Sequence, residues 1–287
     1  MIAVTGATGQ LGRLVIESLL RALPPDHIVA AVRTPEKASD LAGRGVVVRR
    51  ADYNQPQTLE TAFAGVSKLL LISSSELGQR VKQHQAVIEA AGKAGVGLMA
   101  YTSILHADAT PLALGEEHRQ TEALLTASGI PWVILRNGWY TENYLAAIPD
   151  VVARGVLAGC AGQGRVASAV RADYAEAAAA VLAGQGQAGR VYELAGDEAY
   201  ALADLAAEIS RQTGRTVVYH NLDQQAYQAA LVAAGLPPGL AGLLADADAG
   251  AAKGGLFDDS RSLSRLIGRP TTPLSAAVRA AVQHLPA

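Results

Sequence analysis

The chain holds a single cysteine, Cys160, in 287 residues. That excludes an intramolecular disulfide and a zinc cluster built on several thiolates. Aromatic residues are only 5% of the chain, so small and aliphatic side chains, with much alanine and glycine, carry its apolar character. Charged residues are 17% and the formal net charge is −2, which provides no general attraction to nucleic acid or to an anionic membrane. No apolar run approaches the ~20 residues needed to span a bilayer. The N-terminus lacks the charged segment, apolar stretch and small-residue cleavage site of a secretory signal. Several reactive signatures are also missing: G-x-S-x-G, H-E-x-x-H, Walker A and C-x-x-C. Asp246 and Asp248 begin like a calcium loop, but Ala251 stands where its invariant glycine belongs. The expectation is a cytoplasmic protein with no metal, no nucleic-acid partner and no membrane insertion. A homodimer is left open.

What the chain does have is concentrated at its start. A short apolar run, Ile2 to Val4, precedes Gly6, Gly9 and Gly12, and an apolar-periodic segment (Leu14, Val15, Ile16, Leu19, Leu20) follows. Strand, glycine turn and helix in that order form a dinucleotide-binding fingerprint. One glycine permits the tight turn, a second lets backbone approach a pyrophosphate, and a third lets helix and strand pack closely. The helix N-terminus then offers free N–H groups and partial positive charge to phosphates.

Strand and helix patterns alternate beyond it. Strands are expected at 28–32, 46–50, 69–72, 98–102 and 132–135, with helices at 35–41, 57–64, 80–94 and 116–128. Strands that are continuously apolar fit a sheet buried on both faces. After Leu135 the rhythm loosens. A helix is expected at 172–182, with Asp173 and Glu176 spaced like a capping box. Further elements follow at 190–194, 202–213 and 217–220, and two short helices broken by Pro237 and Pro238 at 224–244. The expected fold class is α/β: a Rossmann doubly wound parallel sheet with a smaller C-terminal α/β lobe. Residues 1–136, with returning segments around 165–195, would form the dinucleotide-binding domain, and 137–287 mainly the substrate-side lobe. The ligand is expected in a cleft between them, at the carboxyl ends of the strands.

Several side chains are placed to carry chemistry. Arg33 follows the second strand, where NAD-preferring folds commonly place an acid; an arginine there suits a 2′-phosphate. Asp52, after the third strand, is placed either to accept from an adenine amino group or to cap the next turn. Ser73, Ser74 and Ser75 follow the fourth strand, where small hydroxyl residues admit a ribose or simply form a polar loop. Ser103 follows the fifth strand, where dehydrogenases pair a hydroxyl with Tyr-x-x-x-Lys. No lysine lies four residues after any tyrosine, so that proton-relay dyad is absent. His118 and Glu122 share one helix face, as a proton relay or as a surface pair. Asn137, Gly138, Trp139, Tyr140, Thr141 and Glu142 open the densest aromatic-polar cluster in the chain. They are candidates to face a nicotinamide and stack a planar substrate, or to pack between the lobes. Arg171 would reach a phosphate or the surface.

TGATGQLG (5–12), KLLLISSS (68–75), AYTS (100–103), GIPWVILRNGWYTENY (129–144), RADYAEAA (171–178), KGGLFDDS (253–260) and LSRLIGRPTTPL (263–274) together resemble the NmrA-like atypical short-chain dehydrogenases. Within them the chain resembles the bacterial NAD(P)H:quinone oxidoreductase type 2 group, with triphenylmethane dye reductases a near relative. The resemblance implies flavin-independent, NADPH-preferring reduction of a quinone. It places Gly6, Ala7, Thr8, Gly9, Gln10 and Leu11 around the pyrophosphate, with Gly12 behind them, and Arg33 on the 2′-phosphate. It lines the cofactor further with Ser73 to Ser75, Asn137 to Glu142 and Arg171. Asn137 and His118 would then be the catalytic candidates, with Trp139 and Tyr140 against the quinone. At the position of His118 some relatives carry lysine. Two other readings stay open: a non-catalytic NADP(H)-binding redox sensor that regulates a partner protein, and a reductase of another planar electrophile such as a cationic dye.

Overall fold

The structure is a computed structural model that describes residues 1–76 and 78–283. Its elements in chain order begin β1 (Ile2–Thr5), α1 (Gln10–Leu20), β2 (Ile28–Val32), α2 (Ser39–Gly43), β3 (Val47–Arg50), α3 (Pro56–Phe63), β4 (Lys68–Leu71) and α4 (Arg80–Lys93). They continue with β5 (Leu98–Ile104), α5 (Gly115–Ala127), β6 (Trp132–Asn137), α6 (Glu142–Leu145), α7 (Ile148–Arg154), β7 (Val156–Gly159), α8 (Arg171–Ala183) and β8 (Arg190–Leu194). The chain ends in α9 (Leu202–Thr213), β9 (Val218–Asn221), α10 (Gln224–Ala233), α11 (Pro238–Ala251), α12 (Ser262–Ile267) and α13 (Leu274–Val282).

Seven strands form one sheet in the order β3-β2-β1-β4-β5-β6-β8. The pairings β1–β2, β2–β3, β1–β4, β4–β5 and β5–β6 are all parallel, as the buried apolar strands require. All residues of β1, β2 and β5 are buried, because helices cover both faces of a parallel sheet. The first strands step outward from β1 to β3, and the chain then returns to place β4 on the other side of β1. That reversal is a topological switch point, where open α/β sheets bind their ligands. Helix α1 buries Leu11, Val15, Ile16 and Leu19, each burial contributing about 1.5–3 kcal/mol. Its neighbour α8 is rich in buried alanine.

The chain divides into two compact units. One comprises Met1–Ala107, Glu116–Asn137 and Arg171–Tyr192; the other comprises Asp108–Gly115, Gly138–Val170 and Glu193–Ala287. The loosened rhythm after Leu135 conceals α6, α7 and β7; β7 pairs in parallel with β9 through Val156↔Val218 to Gly159↔Asn221. Helix α8 begins at Arg171, so Asp173 lies inside its first turn rather than at its cap. Helix α11 runs on to Ala251 and takes in both Asp246 and Asp248, so this segment is no calcium loop. No helix among the described residues is long and apolar enough to cross a membrane.

Candidate active site

The fingerprint folds as its spacing predicts. Gly6 has φ +58°, a left-handed turn that costs glycine nothing, and the Gly9 N–H closes that turn on the Gly6 carbonyl at 2.9 Å. A Cβ on Gly12 would lie 2.4 Å from the Gly6 carbonyl oxygen and 2.8 Å from Ala7 Cα. Only a glycine lets the first turn of α1 come this close. Gly9 caps α1 without a side-chain hydrogen bond, and no acidic residue lies in the first turn. The orphan N–H groups and the positive end of the helix dipole therefore have no competing anion in the first turn. Gly6, Gly9 and Gln10 are exposed, Thr8 is half-buried, and Ala7, Leu11 and Gly12 are buried beneath them.

The neighbouring strand ends are tied to it by residues that sequence reasoning did not single out. Thr5 Oγ1, at the end of β1, donates to Leu70 O and accepts from the Ile72 N–H at 3.0 Å. The Tyr53 phenol donates to the same oxygen at 2.6 Å and lies 3.1 Å from Ile72 O. Burial pushes the Tyr53 phenol well above its ordinary pKa, so it stays protonated and holds the ends of β1 and β4 together. The Asp52 carboxylate accepts the Asn54 N–H at 3.0 Å, the contact of a turn cap, through Oδ1.

The serine loop after β4 is held from behind. Ser73 N–H donates to Thr102 Oγ1 at 2.9 Å and Ser74 N–H to His84 Nε2 at 2.9 Å. Ser74 O accepts from Arg80 Nε at 2.8 Å, and Ser74 Oγ donates to Gln83 Oε1. Ser74 is thus an anchor, while Ser75 is exposed and Ser73 half-buried. A backbone N–H can only donate, so His84 Nε2 carries no proton. Its Nδ1–H then donates to Thr121 Oγ1 at 3.0 Å. Burial, then the Arg80 charge, pushes the His84 pKa down to about 3. Arg80 is itself buried and paired with Glu117 at 2.9 Å.

Arg33 stands at the end of β2 and is exposed, with Nη1 donating to Glu76 Oε1 at 3.0 Å. His118 and Glu122 are not a surface pair: both are buried. His118 Nδ1 is 2.7 Å from the Tyr101 phenol, and burial, then Arg80 and His84, holds its pKa well below the ordinary histidine value. It is a neutral imidazole. Glu122 accepts from Ser103 Oγ and from Arg136 Nε and Nη2 at 3.0 and 2.8 Å. Ser103 lies within β5 rather than after it, and its hydroxyl is committed to Glu122.

Asn137 ends β6, buried, with its carbonyl accepting the Leu105 N–H at 2.9 Å. Arg171, half-buried, opens α8 in the same unit. The residues after Asn137 belong to the second unit. There Trp139 is buried, and its carbonyl accepts the Ala169 N–H. The Thr141 and Ser168 hydroxyls lie 2.8 Å apart, and Tyr140 and Glu142 are half-buried. Behind them Asp248, buried, accepts from Tyr144 at 3.3 Å and from the Cys160 N–H at 3.0 Å. Burial raises its pKa to about 6. An open groove of about 620 Å³ in this unit is lined by Ala203, Ala206, Ala207, Val217, Val218 and Tyr219. It contains none of the predicted site residues.

Comparison with known proteins agrees with this geometry. The NAD(P)H-binding family profile matches residues 6–185. The chain belongs to this family. It is 58% identical over 278 residues to Quinone oxidoreductase 2 of Escherichia coli (strain K12), covering 97% of both chains. The crystal structure of an E. coli NADPH-dependent quinone oxidoreductase complexed with NADPH superposes with a TM-score of 0.96 at 57% identity, over 98% of this chain and 99% of that one. Triphenylmethane reductase of Citrobacter sp., complexed with NADP(H), superposes with a TM-score of 0.94 at 39% identity, over 98% of this chain and 100% of that one.

Proposed function

We propose that this chain is an oxidoreductase that reduces quinones with NADPH. The observation that carries the reading is the 58% identity, end to end, to a quinone oxidoreductase, joined to a glycine turn built for a dinucleotide. The bound nicotinamide supplies a hydride, and the protein supplies position. The N-terminus of α1 and the turn at Gly6, Gly9 and Gly12 hold the pyrophosphate. Arg33 takes the 2′-phosphate with its planar fork. Ser73, Ser75 and Arg171 line the dinucleotide, and Asn137 borders the reacting ring. Trp139 and Tyr140 contribute flat surface for a planar acceptor.

The missing Tyr-x-x-x-Lys dyad fits this chemistry. Reducing a ketone to an alcohol needs a strong acid beside a developing alkoxide. A reduced quinone is an aromatised, weakly basic phenolate, so stacking within about 3–3.5 Å of the hydride donor meets most of the demand. No flavin is needed as an intermediary. The later proton comes from water. Neutral His118, with Tyr101 beside it at 2.7 Å, can pass that proton on by taking one at one ring nitrogen as it gives one from the other, but is not itself the source.

A second reading is a reductase whose acceptor is a cationic dye; the 39% identity to a triphenylmethane reductase favours it. Steady-state oxidation of NADPH with a soluble benzoquinone and with a triphenylmethane dye separates the two. The quinone reading predicts a kcat/KM at least tenfold higher for the quinone. The reverse order would replace it with the dye reading.

A further inference from the structure

Arg33 does not wait alone for a 2′-phosphate. Its Nη1 is 3.0 Å from Glu76 Oε1, and both side chains are exposed, at 66% and 45%. Glu76 is not a stray surface acid. Its other oxygen, Oε2, accepts from Gln83 Nε2 at 2.7 Å, and its N–H donates to Ser74 Oγ at 3.1 Å. Gln83 is buried and also binds Ser74 Oγ and Asn54 Oδ1. A buried amide therefore fixes a carboxylate against the arginine, from a loop that starts at the end of β4, two strands away across β1. Doubly wound folds that prefer NAD commonly place an acid at the end of the second strand, where it accepts from the ribose 2′-hydroxyl. Here that strand end holds arginine, and the acid arrives from β4 instead.

We infer that Glu76 is a specificity-determining residue at the cofactor 2′ position, one that opposes the phosphate and favours the hydroxyl. This rests on the reading that Arg33 receives the 2′-phosphate. An arriving phosphate monoester carries close to two negative charges and must displace the Glu76 carboxylate from Arg33 while lying within a few ångströms of it. A 2′-hydroxyl has no such conflict and donates to the carboxylate. The pair thus lowers the NADPH preference that Arg33 alone would confer and leaves NADH usable.

The test is direct binding, read by fluorescence titration of NADPH and of NADH against the wild type, Glu76→Gln and Arg33→Ala. The amide introduced by Glu76→Gln keeps the shape of the side chain and its reach to Gln83 but not the charge. The expected result for Glu76→Gln is about fivefold tighter NADPH and up to twofold weaker NADH. The gain for NADPH should shrink as salt rises from 0.05 to 0.5 M, because exposed charges are screened. An unchanged ratio of the two dissociation constants would overturn the inference. So would weaker NADPH binding, which would make Glu76 a positioning residue for Arg33. The underlying reading fails differently: Arg33→Ala would then weaken both nucleotides equally. A thermal melt of each variant shows that the fold is intact, as exposed ion pairs contribute little to stability.

Discussion

Replacing Gly12 with alanine tests the glycine turn where its geometry is tightest. The new Cβ would meet the Gly6 carbonyl oxygen at 2.4 Å and Ala7 Cα at 2.8 Å, and both are backbone atoms. No flexible side chain can swing aside, so the first turn of α1 and the loop must separate by about 1 Å to regain ordinary contact. Overpacking of this kind costs about 1–3 kcal/mol, which for a chain of this size lowers Tm by about 2–5 °C. The same separation moves the Gly9 cap and the N–H groups after it away from the phosphate position. A hydrogen bond to a charged group contributes about 1.5–3 kcal/mol, so losing the alignment of one such bond weakens binding by at least tenfold. Because NADPH and NADH share the pyrophosphate, both should weaken alike. Gly43→Ala is the control: nothing lies within 4 Å of its Cβ position, and it should leave both affinities unchanged. Titration of both nucleotides, with a thermal melt of each variant, decides the matter. Wild-type affinity for both nucleotides in Gly12→Ala would refute the account of the turn.

Arg33→Ala should weaken NADPH about tenfold more than NADH in the same titration; equal losses would remove Arg33 from the 2′-phosphate. Asn137→Ala should lower quinone turnover at least tenfold while leaving the NADPH dissociation constant within about threefold; a collapse of cofactor affinity would make Asn137 a clamp on the nucleotide instead. His84 should make the protein acid-sensitive. Its folded pKa, about 3, lies below the ordinary 6.5, so between those values the unfolded chain binds the extra proton and stability falls as pH falls. The cost reaches about 1.4 kcal/mol at pH 5.5. His118 acts in the same direction, while Asp248, raised to about 6, opposes both below that pH. His84→Gln should flatten the fall in Tm between pH 7.5 and 5.5, and an unchanged slope would place the acid sensitivity elsewhere.

The parts of this molecule that could be read along the chain are those whose cause is local. Three glycines at a spacing of three have one steric use between a strand and a helix, and Gly6 and Gly12 meet it. The apolar strands fall where continuous Val, Ile, Leu and Ala runs place them, because a sheet buried on both faces leaves no polar alternation. Arg33 was legible because its strand end has a known neighbour in space. Its partner Glu76 was not, for it lies 43 residues away and reaches Arg33 only through the order β2-β1-β4. Gln83 and His84 hide for a similar reason. They are polar residues on the buried side of α4, and a helix pattern counts them as solvent-facing. The pair His118 and Glu122 invited a surface reading on polarity alone; Tyr101 and Arg136, on strands β5 and β6, supply the partners that let both be buried. The short elements α6, α7 and β7 were lost because four to seven residues carry too little periodicity to stand out.

The central claim is that this chain passes a hydride from NADPH to a quinone without a flavin. It is tested most directly by following NADPH absorbance with purified protein shown spectrally to be free of flavin, with and without a soluble benzoquinone, and with NADH in parallel. The account predicts rapid oxidation that depends on the quinone and runs faster with NADPH than with NADH. Tight NADPH binding with no turnover on the quinone would contradict it and point to a nucleotide sensor in place of an enzyme.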